Sequence, residues 1–161
     1  MGIRTGGCNC GQVRFEVEGD PVRVGICHCQ VCRKETGSLG NLFAVWRSDK
    51  VSVTGETRSW RQSTDNRHFC PRCGSSVFGI VGGADEIEIR VGALDDAPSG
   101  LDPAYELWVG RRERWLIPVA GADQHRGADQ HRGIESRRLP DASRSKAHLP
   151  RQVDAPRRRI G

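Results

Sequence analysis

The chain has 161 residues, enough for one domain, and a formal net charge of +5 at pH 7 from 25 Lys+Arg against 20 Asp+Glu. Only 36% of the residues are hydrophobic and seven are cysteine, so the core is thin and the odd thiol count excludes a complete disulfide framework. No stretch approaches the roughly 20 apolar residues of a membrane span, and the start lacks the apolar run of a signal peptide, so a cytoplasmic protein with reduced thiols is expected.

Near the N-terminus, Cys8-Asn9-Cys10 puts two thiols two positions apart, on one face of an extended segment. Val13, Phe15 and Val17 alternate with Arg14, Glu16 and Glu18, which predicts a half-buried strand. Gly19-Asp20-Pro21 is a turn. Val22, Val24 and Ile26 alternate again and deliver the chain to Cys27-His28-Cys29-Gln30-Val31-Cys32, with Arg33-Lys34 directly behind. Cys32 follows Cys29 by about one helical turn. A strand that tips into a short helix over residues 30–36, closed by Gly37, therefore aims three sulfurs at one point. His28 alternates away from the thiols and reads as a packed or hydrogen-bonded histidine rather than a ligand. Residues 42–46 and 51–53 predict strands, and 59–63 a further one. Cys70-Pro71-Arg72-Cys73-Gly74 has the spacing of a metal knuckle. Residues 77–81 and 86–91 predict a hairpin around Gly82-Gly83-Ala84-Asp85. Tyr105, Leu107 and Val109 make a last strand, and Trp115 is expected to pack on the core. Many short strands with turn signals indicate an all-β class.

The composition shifts near Pro118. The hexapeptide from Gly121 to Arg126 is repeated at once from Gly127 to Arg132. Residues 119–161 carry ten Lys+Arg and five Asp+Glu, while the rest of the chain is balanced at fifteen and fifteen. The expected division is a zinc-binding domain over 1–120 and a basic, disordered tail over 121–161. The tail ends in Arg157-Arg158-Arg159, and a solvated charge run is preferred there to a nucleic-acid contact.

The cysteines divide as four plus three. Cys8, Cys10, Cys70 and Cys73 complete a closed site of the structural kind, whereas Cys27, Cys29 and Cys32 leave one tetrahedral position open, as catalytic zinc sites do. Three thiolates are soft, strongly donating ligands and leave Zn²⁺ with a net negative charge. Such a site suits a fourth sulfur better than hydroxide. A thiol that is only a few per cent ionised at pH 7 becomes a thiolate at a metal and can attack a small carbonyl carbon. Arg33 and Lys34 are the nearest cations able to offset that charge or hold a substrate carboxylate. The competing readings are a disulfide framework, which needs an oxidising compartment; a redox Cys-x-x-Cys pair, which needs a βαβ setting; and two purely structural zinc sites.

Four motifs in order carry a family resemblance: Gly7-Cys8-Asn9-Cys10-Gly11, the run from Cys27 to Ser38, Arg67-His68-Phe69-Cys70-Pro71-Arg72-Cys73-Gly74-Ser75, and Val91-Gly92-Ala93-Leu94-Asp95-Asp96. From about Gly6 to about Gln124 the chain resembles the glutathione-dependent formaldehyde-activating enzyme family, which includes centromere protein V. The resemblance implies a β-tent fold of small antiparallel sheets built around two zinc sites. It implies a structural zinc on Cys8, Cys10, Cys70 and Cys73, and a catalytic one on Cys27, Cys29 and Cys32. It also implies a carbon–sulfur lyase like S-(hydroxymethyl)glutathione synthase, joining a glutathione-like thiol to formaldehyde or a related small aldehyde. The alternative is a zinc-stabilised binding module without catalysis, its basic tail contacting nucleic acid.

Overall fold

Alternating β-branched and aromatic residues build two open sheets in the computed structural model, which describes residues 2–62 and 65–127 and the backbone of 152–153. In chain order the elements are β1 (Ile3–Gly7), β2 (Arg14–Glu18), β3 (Arg23–Cys27), α1 (Gln30–Thr36), β4 (Asn41–Arg47), β5 (Val51–Thr54), β6 (Arg58–Gln62), β7 (Asp65–Phe69), β8 (Ser76–Ile80), β9 (Glu86–Arg90), β10 (Tyr105–Leu107), β11 (Asp123–His125) and β12 (Gln152–Val153). The smaller sheet runs β1-β2-β5-β12 and the larger β11-β10-β3-β4-β9-β8-β7-β6. Among the described residues the architecture is mostly β, with one short α-helix.

β4 is the hinge of the packing, because its apolar run is covered on both faces. Ala44 and Trp46 face the main core with Phe15, Val17, Val53, Val77, Phe78, Ile87 and Ile89. Phe43 and Val45 face a second cluster made by Tyr105, Leu107, Cys27 and Cys32. The second cluster seats the start of α1. Gly25 permits the close approach of β10, since a Cβ there would lie 2.5 Å from the Tyr105 ring. Among the described residues no helix is long and apolar enough to cross a membrane.

Three expectations are corrected. The sheets are not all small and antiparallel: one has eight strands, β10 runs parallel to both β3 and β11, and β12 runs parallel to β5. β10 reaches β3 through a long connection after β9 rather than a tight turn, which frees it to enter parallel. The last predicted strand ends at Leu107, because Trp108 takes a left-handed backbone (φ 58°) and a 3₁₀ turn follows over Val109–Arg111. Trp115 is 70% exposed; the chain past this turn runs over the surface, and the core faces of β4 are already filled.

Strands β1, β7 and β11 have no apolar alternation and were not expected. β11 lies beyond residue 120, so the larger sheet draws on the segment assigned to the tail. Ser63, the second hexapeptide after Gly127, and the tail other than the backbone of 152–153 lie outside the described residues.

Candidate metal centres and the groove beside them

Cys8, Cys10, Cys70 and Cys73 converge from two ends of the domain, with all four sulfurs within 4.8 Å of one another. The Cys8–Cys10 and Cys10–Cys70 sulfurs are 3.5 and 3.7 Å apart. A disulfide would need about 2.05 Å. The edge of a tetrahedron with metal–sulfur bonds of about 2.3 Å is about 3.8 Å, so the spacing fits four ligands around one zinc-sized ion. The surroundings supply charge-stabilising donors. The Val13 N–H points at Cys8 Sγ at 3.2 Å. The Ser75 hydroxyl lies 3.3 Å from Cys73 Sγ, and with the Ser75 N–H it draws that thiol down to about 5. Gly74 makes the knuckle turn with φ 76°.

Cys27, Cys29 and Cys32 form the second group, again within 4.8 Å. β3 ends at Cys27, Cys29 caps α1 by accepting the Cys32 N–H at 3.4 Å, and Gly37 closes the helix with φ 63°. Hydrogen bonds from Cys27 and Cys32 draw the Cys29 thiol down to about 2. Cys27 is pushed up to about 12, first by its contact with Cys29, and Cys32 is pushed up by its contacts with both. The three thiols oppose one another's ionisation, and a dication among them would let all three ionise. Cys27 and Cys32 are buried, while Cys29 is half-buried, so the cluster is open on the Cys29 side.

Two buried polar networks hold this group in place. His28 is 1% exposed, and its Nε2–H donates to Glu106 Oε2 at 2.7 Å while Nδ1 faces the Leu39 carbonyl at 3.3 Å. Glu106, equally buried, also accepts from Arg112 Nη1, Gln124 Nε2 and the Val119 N–H. Burial would raise its carboxyl, but these donors, Gln124 and His28 foremost, hold it at about 2. On the opposite side of α1, Glu35 accepts from Arg67 (2.9 Å), Arg90 (2.6 Å) and Ser76 (2.7 Å). Its side chain is 3% exposed, and although burial opposes ionisation, Arg90 and Arg67 keep its carboxyl below the usual range.

Two adjoining hollows form a groove along α1, which begins next to Cys29 in the chain. One hollow of about 570 Å³ is lined by Gln30, Arg33, Lys34, Ser38 and Arg111. A second of about 420 Å³ is lined by Gln30, Val31, Lys34, Glu35 and Trp60. Gln30 and Lys34 belong to both, and Gln30 directly follows Cys29. Of the two cations expected here, Arg33 already binds Glu113 Oε1 at 2.6 Å and the Arg111 carbonyl at 2.8 Å; Lys34 is exposed on the groove.

Sequence reasoning missed Glu35, Arg90, Glu106 and Arg111. For Glu35 a signal existed, since it sits three residues after Cys32 on the same helical face. Glu106 carried none, because alternation with Tyr105 and Leu107 aims it at solvent.

The family model described as glutathione-dependent formaldehyde-activating enzyme matches residues 3–111. The chain belongs to this family. Relatives bearing the family's name occur in Halomonas elongata, at 31% identity over 86 residues (47% of this chain and 55% of that protein), and in Talaromyces marneffei, at 31% over 80 residues (46% and 43%). One in Penicillium rubens matches at 31% over 80 residues (46% and 42%). The chain thus spans about half the length of the curated relatives it matches. A solved structure of a Rhodobacter sphaeroides protein aligns with a TM-score of 0.48 and 24% identity, covering 62% of this chain and 91% of that one.

Proposed function

We propose that this family member is a zinc-dependent carbon–sulfur lyase that adds a glutathione-like thiol to formaldehyde or a related small aldehyde and reverses the addition. In the forward direction the sulfur–carbon bond forms, the carbonyl π bond breaks, and the thiol proton ends on the new hydroxyl oxygen. The observation that carries the reading is the three-thiol cluster whose one half-buried member, Cys29, directly precedes Gln30, a residue that lines both hollows beside α1. A zinc ion on Cys27, Cys29 and Cys32 would supply a soft Lewis-acid site that keeps a thiol ionised at neutral pH. The chain's own residues do the rest. His28 and Glu106 lock the loop between Cys27 and Cys29, Glu35 fixes the helix that carries Cys32, and buried Phe43 and Tyr105 wall the cluster from water on its inner side. Cys8, Cys10, Cys70 and Cys73 would hold the structural zinc, and the two sheets would form the β-tent of the family, with residues 1–120 as the core of the domain.

The test is exchange NMR with ¹³C-formaldehyde and glutathione, read as catalysed formation and cleavage of S-(hydroxymethyl)glutathione above the spontaneous rate, alongside metal analysis. Two zincs per chain and catalysis lost in Cys29→Ser support the reading. Two zincs with no acceleration for any thiol would favour a binding module.

A further inference from the structure

Three cations line the groove, and two of them, far apart in the chain, lack a carboxylate partner among the described residues. Lys34 stands on α1, and Arg111 closes the 3₁₀ turn after β10; both line the same hollow. Arg111 reaches it by an uncommon route. Trp108 adopts the left-handed conformation, a costly choice for a bulky residue. This reverses the chain so that the Arg111 guanidinium stacks on the Trp108 ring at 4.8 Å. Stacking immobilises the guanidinium while leaving its in-plane N–H donors available for a planar, bidentate acceptor. The Arg111 carbonyl is in turn clamped by Arg33, which Glu113 neutralises. The other carboxylate along the groove, Glu35, is committed to Arg67 and Arg90. Among the described residues no carboxylate pairs with Lys34 or Arg111, so their charges face the hollow uncompensated. Backbone strain, a cation–π stack and a hydrogen bond all position Arg111 where the known charges leave it without a counter-ion.

We propose that Lys34 and Arg111 form a carboxylate clamp beside the three-cysteine cluster, which makes the site select anionic peptide thiols over neutral ones, with Arg33 as the strut that sets Arg111. This rests on the lyase reading for the thiol's fate but not for its recognition. A tripeptide thiol carries a carboxylate at each end and its sulfur between them. A carboxylate held at Lys34 and Arg111 would leave the sulfur near Gln30, the residue next to Cys29 in the chain, and the remaining arm would lie across Lys34 toward Trp60.

The experiment uses the full-length, zinc-loaded protein and two readouts. Calorimetry measures binding of S-methylglutathione, which keeps both carboxylates but offers no thiolate, and of its dimethyl ester. NMR gives the ratio of kcat/KM for glutathione to that for its dimethyl ester. Lys34→Ala and Arg111→Ala should each weaken S-methylglutathione about ten-fold, the scale of a lost charge-assisted hydrogen bond, and lower the kinetic ratio similarly. Ester binding should move less than two-fold. Lys50→Ala, whose ammonium lies 3.4 Å from Glu18 on the other sheet, is the control for net charge and should change neither. Carboxylate-dependent binding that both variants weaken, without turnover of any thiol, would uphold the clamp and refute the lyase. Turnover of glutathione with an unchanged ratio in both variants would refute the clamp and leave the lyase standing. Equal binding of acid and ester to the unmodified protein would also overturn the clamp.

Discussion

Replacing Glu106 with Gln keeps the shape and removes one charge, which makes it a sharp probe of how the three-cysteine loop is held. All four partners of this carboxylate are donors: His28 Nε2, Arg112 Nη1, Gln124 Nε2 and the Val119 N–H. An amide can accept from two of them at most and turns its own N–H groups on the other two. Two charge-assisted bonds at about 1.5–3 kcal/mol each set the loss at about 3–6 kcal/mol before relaxation. The depressed carboxyl gives a second figure. The carboxyl falls from 4.5 to about 2 on folding, which corresponds to about 3 kcal/mol. Its folded value is the depressed one, so this contribution is fully present above about 4.5 and is lost as the pH falls toward about 2. At pH 7.5, Glu106→Gln should therefore destabilise the zinc-loaded protein by about 3 kcal/mol, or lower Tm by about 10 °C for a domain of this size. Urea denaturation and calorimetry of both proteins measure it. A loss under about 1 kcal/mol would refute the reasoning, because it would mean that the donors find other partners or that the carboxylate is not ionised.

Three other outcomes follow from the same geometry. Cys70→Ser, at a fully buried position in the main core, should abolish soluble folded protein, while Cys29→Ser should leave the circular dichroism intact with one zinc fewer by metal analysis. Under a chelator titration or acidification one zinc should leave first, since thiolate ligands bind less well as they protonate and three protein ligands hold less firmly than four; release, dichroism and activity recorded together would show both zincs leaving with the fold if the distinction is false. Truncation after Gly127 should preserve folding, whereas truncation after residue 120 removes β11 and the Gln124 bond to Glu106 and should cost about 2 kcal/mol or more by denaturation; equal stability of the two would place the boundary at 120.

The thiol spacing made both clusters legible in the sequence, because ligand geometry is local at each end: i and i+2 on a strand, and i and i+3 across a helical turn. Gly37 announced the end of α1 for the same reason. Strand alternation exposed β2, β3, β8 and β9, but it reports which side faces in and nothing about the neighbour, so the parallel seat of β10 beside β3 was invisible. Where burial depends on partners far along the chain, the sequence was silent. Glu106 is buried because β3 and β11 flank its strand and the segment around Val119 covers it, and Arg67 lies inside a polar strand because Glu35 awaits it. β1 forms because Gly6 admits the Phe15 ring and the Ala93 carbonyl where a Cβ would collide at 2.3 Å, a fit that no pattern of hydrophobicity encodes.

The two clusters differ in how far apart along the chain their members lie, and this sets an order of assembly. The three-cysteine group is complete within six residues, so any metal it takes could be captured as soon as that segment leaves the ribosome. The four-cysteine group must join Cys10 to Cys70 across 60 residues, and its second half is synthesised last. Until then Cys8 and Cys10 are a bidentate pair with no proper partner, close in sequence to three thiols that would hold metal with an open position. A nascent or refolding chain in excess zinc would therefore be expected to meet a kinetic trap in which one ion bridges the wrong cysteines. Its escape rate should rise with a thiol buffer that exchanges ligands, and the final metal inventory should depend on whether zinc is added before or after the sheets have closed.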